Sequence, residues 1–224
     1  MSKFVYALMI IALISVDKTQ ALLYNFENPR QLDDFVIDEG EWKIKNGVLE
    51  GKVPAKDYLG IRLAYPGSEE WTDYILEVKG TWVEDLGQAG QSAQVEIYFR
   101  FVDIQHRYFL DSNYVLKGCG LYAQVVGDWP EFGGPRMPIE TIPDEKTHVY
   151  KIELDGESIK IYVNDNMIFD AKDNRYPKGT IGLGGYGSLV QFDNLRIEGK
   201  GLPQSPVDPE DKLAVSWGLL KMNQ

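Results

Sequence analysis

Apolar and polar residues alternate with period two through the last part of the chain, from His148 to Glu198. The alternation is interrupted at Asp155-Gly156, at Asn164-Asp165 and between Pro177 and Gly179. Short alternating runs separated by such turn residues are typical of antiparallel hairpins with one buried face. This region is therefore predicted to consist of antiparallel strands.

The same pattern extends toward the beginning of the chain. The longest alternating run is Val95 to Val102, and Asn46-Gly47 predicts a tight hairpin between Trp42 and Gly51. No long run has the apolar spacing of an amphipathic helix. We therefore predict an all-β fold, a two-sheet antiparallel β-sandwich, for which 224 residues provide a sufficient core.

The two ends of the chain differ from this pattern. Lys3 and the apolar run from Phe4 to Val16 are typical of a secretory signal, which we predict to occupy residues 1–21 and to be removed after Ala21. An uncleaved membrane anchor is the alternative. The sandwich domain is assigned to residues 22–200, and residues 201–224 are predicted to form a proline-rich linker and a short apolar tail. A cleaved signal implies a secreted, extracellular or periplasmic protein without a membrane segment.

The charge of the chain narrows the class of partner. Its formal net charge is −11 at pH 7, which disfavours nucleic acid and anionic membrane surfaces as main partners. Neutral glycans and bound cations are compatible with an acidic surface. The chain holds two histidines and a single cysteine, Cys119. These counts exclude metal sites built on several histidines and an intramolecular disulfide.

The longest predicted strand suggests a binding surface. Val95, Ile97, Phe99 and Phe101 are expected to point into the core, so the residues between them point the other way. Carboxylates and Arg can bind sugar hydroxyls, and aromatic rings can stack on sugar rings. The alternative is a solvated face with weak cross-strand ion pairs, and a loop that packs on the sandwich as a lid. The expected substrate-binding residues are Glu77, Glu96, Tyr98, Arg100 and Gln124 on strands, with Trp129 in a loop rich in Gly and Pro.

A calcium site is a further hypothesis. The first and last strands of such a sandwich usually lie side by side, which would bring Glu27 close to Asp193. Oxygen ligands of this kind suit Ca²⁺, so a structural Ca²⁺ is expected to bind there. The alternative is that Asp193 accepts hydrogen bonds from backbone amides in its own turn.

Several segments carry a family resemblance: GEWKIKNGVLEG, YILEVKGTW, VEIYFRFVDIQHRYFL, HVYKIELDGESIKIYVNDNMIFD and GTIGLGGYGSLVQFDNLRIEG. Together they resemble the concanavalin A-like, laminin G-like jelly rolls, above all the levan-binding type of carbohydrate-binding module and the 3-keto-disaccharide hydrolase domains. The resemblance implies a jelly roll that binds a glycan. In such domains acidic and Arg side chains bind the sugar, and the matching residues here are Glu96 and Arg100. The glycosidases of this fold carry a Glu-x-Asp-x-x-Glu strand, which Val95 to Val102 does not reproduce.

Three functional hypotheses follow. The first is a secreted, non-catalytic carbohydrate-binding domain that recognises a poly- or oligosaccharide. The second is a hydrolase or lyase that acts on a modified disaccharide, with activity that depends on Glu96. The third is an extracellular adhesion module that binds another protein through a sheet edge or its tail. No catalytic residue is assigned from the sequence.

Overall fold

The structure, a computed structural model, describes residues 20–56, 59–86, 93–138, 147–199 and 202. Within this part of the chain, the strands form two antiparallel sheets. The first sheet contains β1 (Gln20–Tyr24), β3 (Glu41–Lys45), β4 (Val48–Val53), β6 (Tyr74–Asp85), β11 (Thr147–Asp155), β12 (Ser158–Val163), β13 (Asn166–Lys172) and β15 (Ser188–Gly199). The second contains β2 (Phe35–Ile37), β5 (Gly60–Leu63), β7 (Gln94–Asp103), β8 (His106–Asn113), β9 (Gly118–Gln124), β10 (Met137–Pro138) and β14 (Thr180–Tyr186).

The strand order shows long-range crossovers between the sheets. The eight-stranded sheet runs β13-β12-β11-β6-β15-β4-β3, and β1 pairs with the second half of β15. The seven-stranded sheet runs β10-β9-β8-β7-β14-β5-β2. Two short 3₁₀ helices, Pro29–Asp34 and Ser68–Glu70, lie between strands, and Asn28 caps the first of them. The predicted all-β, two-sheet antiparallel sandwich is confirmed.

The core lies between the two sheets and follows from the period-two pattern. Leu76, Val78 and Ile152 of the eight-stranded sheet and Ile97 and Leu110 of the seven-stranded sheet are buried in one apolar cluster. Because side chains alternate along a strand, each of these strands presents its other residues to the opposite face. Each sheet therefore has one face in the core and one face that points away from it.

Tight turns connect the hairpins where the sequence predicted them. Asn46 and Gly47 have φ values of 54° and 73°, and they join β3 to β4. Asn164 and Asp165 also have positive φ, 48° and 65°, and they join β12 to β13. Two successive residues with positive φ match the twist of flanking antiparallel strands, which is why Asn and Gly are favoured here.

The two ends of the domain are tied together by the last strand. β1 begins at Gln20 and pairs with β15, so that Leu22 lies opposite Ile197. Leu202 is buried in the core, two residues beyond the predicted domain end. Most of the predicted signal, and the linker and tail apart from Leu202, lie outside the described residues. Across the described ranges, no helix has both the length and the apolar character needed to cross a bilayer.

Candidate functional site

The face of the seven-stranded sheet that points away from the core is called the outer face below. Strand pairing fixes which residues share it. Glu96 lies opposite Asp111 on one side and Gly184 on the other. Further along, Tyr98 lies opposite Phe109, which in turn lies opposite Tyr122. The outer face therefore combines two carboxyl groups with a row of aromatic rings.

The outer face has a small apolar cluster of its own. Leu59, Tyr98, Phe101 and Phe109 are buried there, and the partly buried Tyr122 packs against them. Aromatic side chains of this size remove a large area from water. The side chains of this face are therefore buried, in contrast to the solvated strand face that was the alternative interpretation of the sequence.

Arg107 is buried within this aromatic cluster. Its guanidinium carbon lies 5.3 Å from the ring centroid of Tyr98, 5.6 Å from that of Phe101 and 5.7 Å from that of Phe109. The guanidinium also donates a hydrogen bond to the carbonyl oxygen of Ile104. A cation over aromatic faces is stabilised by the ring quadrupoles, most strongly where water is excluded. The cluster thus holds a fixed positive charge close to the carboxyl groups.

Glu96 and Asp111 are each held through one carboxyl oxygen. Tyr98 donates its hydroxyl to Glu96 Oε2 at 2.6 Å, and Arg136 Nη2 donates to Asp111 Oδ2 at 2.6 Å. The same Arg136 nitrogen lies 2.7 Å from the hydroxyl of Tyr122. The other two oxygens, Glu96 Oε1 and Asp111 Oδ1, are buried and accept no hydrogen bond from the described residues. Buried acceptors of this kind favour a ligand that brings hydroxyl donors.

Burial raises the pKa of both carboxyl groups. Desolvation brings the pKa of Glu96 from 4.5 to about 8, opposed by the hydrogen bond from Tyr98 and supported by the charge of Asp111. Desolvation also raises the pKa of Asp111 from 3.8 to about 6, opposed by the charge and hydrogen bond of Arg136. Near neutral pH, Glu96 therefore keeps its proton while Asp111 is ionised. Adjacent carboxyl groups with separated pKa values are typical of acid–base sites.

The raised pKa of Glu96 predicts how stability depends on pH. Below pH 4.5 both the folded and the unfolded chain hold this proton, whereas between pH 4.5 and about 8 only the unfolded chain loses it. The free energy of unfolding should therefore fall as the pH rises through this window. Glu96→Gln has no proton to lose, so its free energy of unfolding should rise relative to that of the wild type by about 4 kcal/mol across the window. Chemical denaturation of both proteins at the two ends of the window measures this gain. If the difference between their free energies of unfolding is the same at both pH values, the prediction is contradicted.

Glycines allow two tyrosine rings to lie against the sheet. A Cβ atom on Gly184 would come within 2.2 Å of the Tyr98 hydroxyl oxygen, and one on Gly120 within 2.5 Å of the Tyr122 ring. Both positions therefore require a residue without a side chain. The close approach places the Tyr98 and Tyr122 hydroxyls beside Glu96 and Arg136, where their hydrogen bonds form.

Arg100 does not belong to the outer face, and the expectation that it projects there beside Glu96 is wrong. Its φ is 44°, and the pairing register between β7 and β8 shifts after Phe99. Such a β-bulge reverses the alternation of the residues that follow it. The buried Arg100 guanidinium therefore donates to the carbonyl oxygens of Thr72 and Gly156. Phe101, which was expected in the main core, lies in the outer-face cluster instead.

Glu77 is not close to Glu96, and the expectation that the two share a sheet face is wrong. Glu77 lies on β6 in the eight-stranded sheet, opposite Lys151 and Arg196. Its strand pairs with β11 and β15, which are distant in sequence, and local alternation cannot reveal such partners. Other charged residues of this sheet form ion pairs, among them Lys43 with Glu50 at 2.9 Å. The solvated face with ion pairs is therefore found here, on the eight-stranded sheet.

The other expected residues lie at one end of the outer face. Gln124 lies opposite Arg107 and is buried, so it shares the face with Glu96 and Tyr98 as expected. Trp129 is exposed in the loop after β9, and its role as a sugar platform stays a prediction. Phe132 from the same loop packs against the core, with its ring centroid 5.4 Å from that of Tyr108. One part of the loop thus packs on the sandwich and another stays exposed.

The calcium hypothesis rests on the contact between the first and last strands, which the structure does contain. Asp193 Oδ1 accepts from the backbone nitrogen of Asn194 at 2.7 Å, and its other oxygen accepts from the Asn194 side chain at 2.9 Å. Glu27 has its carboxylate against Gly47. In the part of the chain that the structure describes, no three His, Cys, Asp or Glu residues are grouped to hold a metal ion. Calcium binding by Glu27 and Asp193 stays a prediction.

Sequence reasoning missed Asp111, Tyr122 and Arg136. Extending the pairing of Asp103 with His106 would place Asn113 opposite Glu96, but the bulge shifts the register so that Asp111 lies there. The bulge hides this register in the sequence. Arg136 comes from an irregular loop, and its contact with Asp111 depends on how that loop folds over β9.

Comparisons with known proteins agree with this architecture. Residues 25–198 match the model of the 3-keto-alpha-glucoside-1,2-lyase-like domain. No curated protein matches the chain. The carbohydrate-binding module CBM66 from Bacillus subtilis superposes with a TM-score of 0.62 at 19% identity, covering 74% of this chain and 96% of the module.

Two further structures share the fold at lower identity. A Bacillus subtilis protein of unknown function with a galectin-like fold has a TM-score of 0.56 at 12% identity, covering 80% of this chain and 95% of that one. The Bacillus licheniformis β-glucanase also has a TM-score of 0.56, at 13% identity, covering 81% of this chain and 98% of the enzyme. At these identities the similarity establishes a jelly-roll sandwich, as the sequence resemblance implied.

Proposed function

Because the chain belongs to the family of 3-keto-α-glucoside-1,2-lyase-like domains, we propose that its outer face binds a carbohydrate. The observation that carries this proposal is the pair of buried carboxyl groups, each with one held oxygen and one buried oxygen that has no hydrogen-bond partner among the described residues. Carbohydrates supply many hydroxyl donors together with apolar ring faces. The similar structures include a carbohydrate-binding module and a β-glucanase, which supports a glycan as the ligand class.

Each part of the outer face has a role in this proposal. Asp111 accepts a hydrogen bond from a sugar hydroxyl through Oδ1, protonated Glu96 donates one through Oε1, and Arg136 keeps Asp111 ionised and oriented. The partly buried Tyr122 provides flat apolar surface beside them. A few oriented polar groups within an aromatic wall are the usual composition of a small-molecule site. Arg100 and Glu77 have no contact role, since they lie elsewhere.

A comparison of two carboxyl variants tests the binding site. Glu96→Ala should weaken glycan affinity by roughly 10-fold or more, because it removes a buried polar group whose hydrogen bond to a ligand is worth about 1.5 kcal/mol or more. Glu77→Gln removes a carboxylate from the other sheet and should leave the affinity unchanged. Isothermal titration calorimetry with a bound glycan measures both. Equal affinities for the two variants would contradict this location.

The separated pKa values favour catalysis as a second candidate function. A 1,2-lyase acting on a 3-keto-α-glucoside breaks the C2–H and C1–O bonds and forms a C1=C2 double bond. The keto group acidifies the C2 proton, which ionised Asp111 could accept. Protonated Glu96 could then give its proton to the departing glycosidic oxygen. Positioned acid and base groups with pKa values on either side of neutrality suit this reaction.

The pH dependence of turnover tests this second candidate. The rate should rise with the ionisation of Asp111 at about pH 6 and fall as Glu96 ionises at about pH 8. The conjugated enone product can be followed by its ultraviolet absorbance. Absence of product from 3-keto-α-glucosides over the whole pH range would leave binding as the function and exclude this one.

A further inference from the structure

Three exposed apolar side chains lie at one end of the seven-stranded sheet, and together they are called the tip patch. Val102 comes from the end of β7 and Ile104 from the turn between β7 and β8, and they are 56% and 47% exposed. Val126 comes from the turn after β9 and is 69% exposed. Grouped apolar residues on the surface of a soluble protein mark a surface that something covers.

Strand pairing brings the two turns together. Arg107 at the start of β8 lies opposite Gln124 at the end of β9, so the turn before Arg107 and the turn after Gln124 are neighbours. The amide of Gly127 donates to the side chain of Gln105 at 3.4 Å, which joins the tips of the turns. Hydrogen bonds in both directions between Val125 and Asp128 close the second turn. The two turns next to the tip patch are therefore joined.

The chain leaves the fold at the same end of the sandwich. Leu202 is buried, and a Cβ atom on Gly199 would lie 3.1 Å from it. Gly199 lies opposite Tyr74, whose hydroxyl accepts a hydrogen bond from the backbone nitrogen of Arg100 at 2.8 Å. Arg100 is two residues before Val102. The nine residues 203–211 can span up to about 30 Å, which is ample for the following segment to reach the tip patch.

The segment that follows has the complementary chemistry. Residues 212–224, KLAVSWGLLKMNQ, combine apolar side chains with Lys212 and Lys221 and contain no acidic residue. Acidic residues lie in the same two turns and in the loop that follows, namely Asp103, Asp128 and Glu131. We propose that segment 212–224 docks on the tip patch of its own chain, where its apolar residues cover Val102, Ile104 and Val126. Its lysines then lie among the surrounding carboxylates.

Cysteine cross-linking in the full chain tests this docking. Val126→Cys is combined with a cysteine placed in turn at Val215, Leu219 or Met222. The matched control uses Val115→Cys instead, because Val115 is 48% exposed in the turn between β8 and β9 at the opposite end of the same strands. The native Cys119 is buried and its pKa is raised to about 12, so it supplies little thiolate for competing disulfides.

Docking raises the effective concentration of the tail at the tip patch. At least one Val126 pair should therefore close an intramolecular disulfide about tenfold faster than the corresponding Val115 pair. Equal rates for the two series would overturn the proposal. Covalent dimers that form from the Val126 variants in proportion to protein concentration would overturn it as well, since they would assign the patch to a second copy of the chain.

Discussion

Asp111→Asn is expected to weaken binding to the recognised carbohydrate by about 10- to 100-fold, because a hydrogen bond that involves a charged group contributes roughly 1.5–3 kcal/mol. The substitution keeps the shape of the side chain but removes the charge that pairs with Arg136 at 2.6 Å. Arg136 then loses the partner that orients it beside Tyr122. Asp111→Asn changes the hydrogen-bond acceptor, the orientation of the Arg136 guanidinium and the local charge together. Its effect on glycan affinity should therefore exceed that of Glu96→Gln.

A matched control separates the site from a general effect of charge. Asp170→Asn removes an exposed carboxylate from β13 of the other sheet, and it should bind as the wild type does. Titration calorimetry on both variants, with circular dichroism to confirm the fold, makes the comparison. Wild-type affinity in Asp111→Asn would exclude Asp111 from the site.

Arg100→Ala should destabilise the domain by about 2–5 kcal/mol, since the carbonyl oxygens of Thr72 and Gly156 each lose a charged donor at a cost of roughly 1–3 kcal/mol. The guanidinium bonds the carbonyl oxygens of Thr72 at 3.0 Å and Gly156 at 2.7 Å, and it lies 3.6 Å from Asp73 Oδ1. The segment before β6 and the turn between β11 and β12 are thus joined through one side chain. For a domain of this size the loss corresponds to a fall in Tm of roughly 10 °C.

The matched control for this effect is Arg62→Ala. Arg62 pairs with Asp38 at 2.9 Å, but its side chain is 37% exposed, so its loss should cost at most about 1 kcal/mol. Thermal unfolding followed by circular dichroism gives both values. A role of Arg100 in sugar contact would instead appear as a lower glycan affinity with an unchanged Tm.

The sequence predicted the fold well because each hairpin leaves a local signal. The alternation from His148 to Glu198 and the turn at Asn46-Gly47 correspond to strands and turns of the structure. Partners that are distant in sequence left no such signal. β6 lies beside β11 and β15 rather than beside β7, which is why Glu77 was placed on the wrong sheet.

The candidate site was predicted only in part, for two physical reasons. First, β8 is buried on both faces along most of its length, so its residues lack the polar and apolar alternation that would have shown Asp111 on the outer face. Second, the bulge at Arg100 exchanges the directions of Arg100 and Phe101. Glu96, Tyr98 and Gln124 lie before or beyond this bulge and were placed on the correct face.

Titration of the full chain against a panel of neutral glycans, fructans and 3-keto-α-glucosides included, tests most directly whether the outer face handles carbohydrate. The same samples are analysed for products. Saturable binding that is lost in Asp111→Asn and kept in Glu77→Gln is the predicted result, and cleaved glycan would add the lyase function to it. Absence of both binding and turnover across the panel, or wild-type affinity in both Asp111→Asn and Glu96→Ala, would contradict a carbohydrate site on this face.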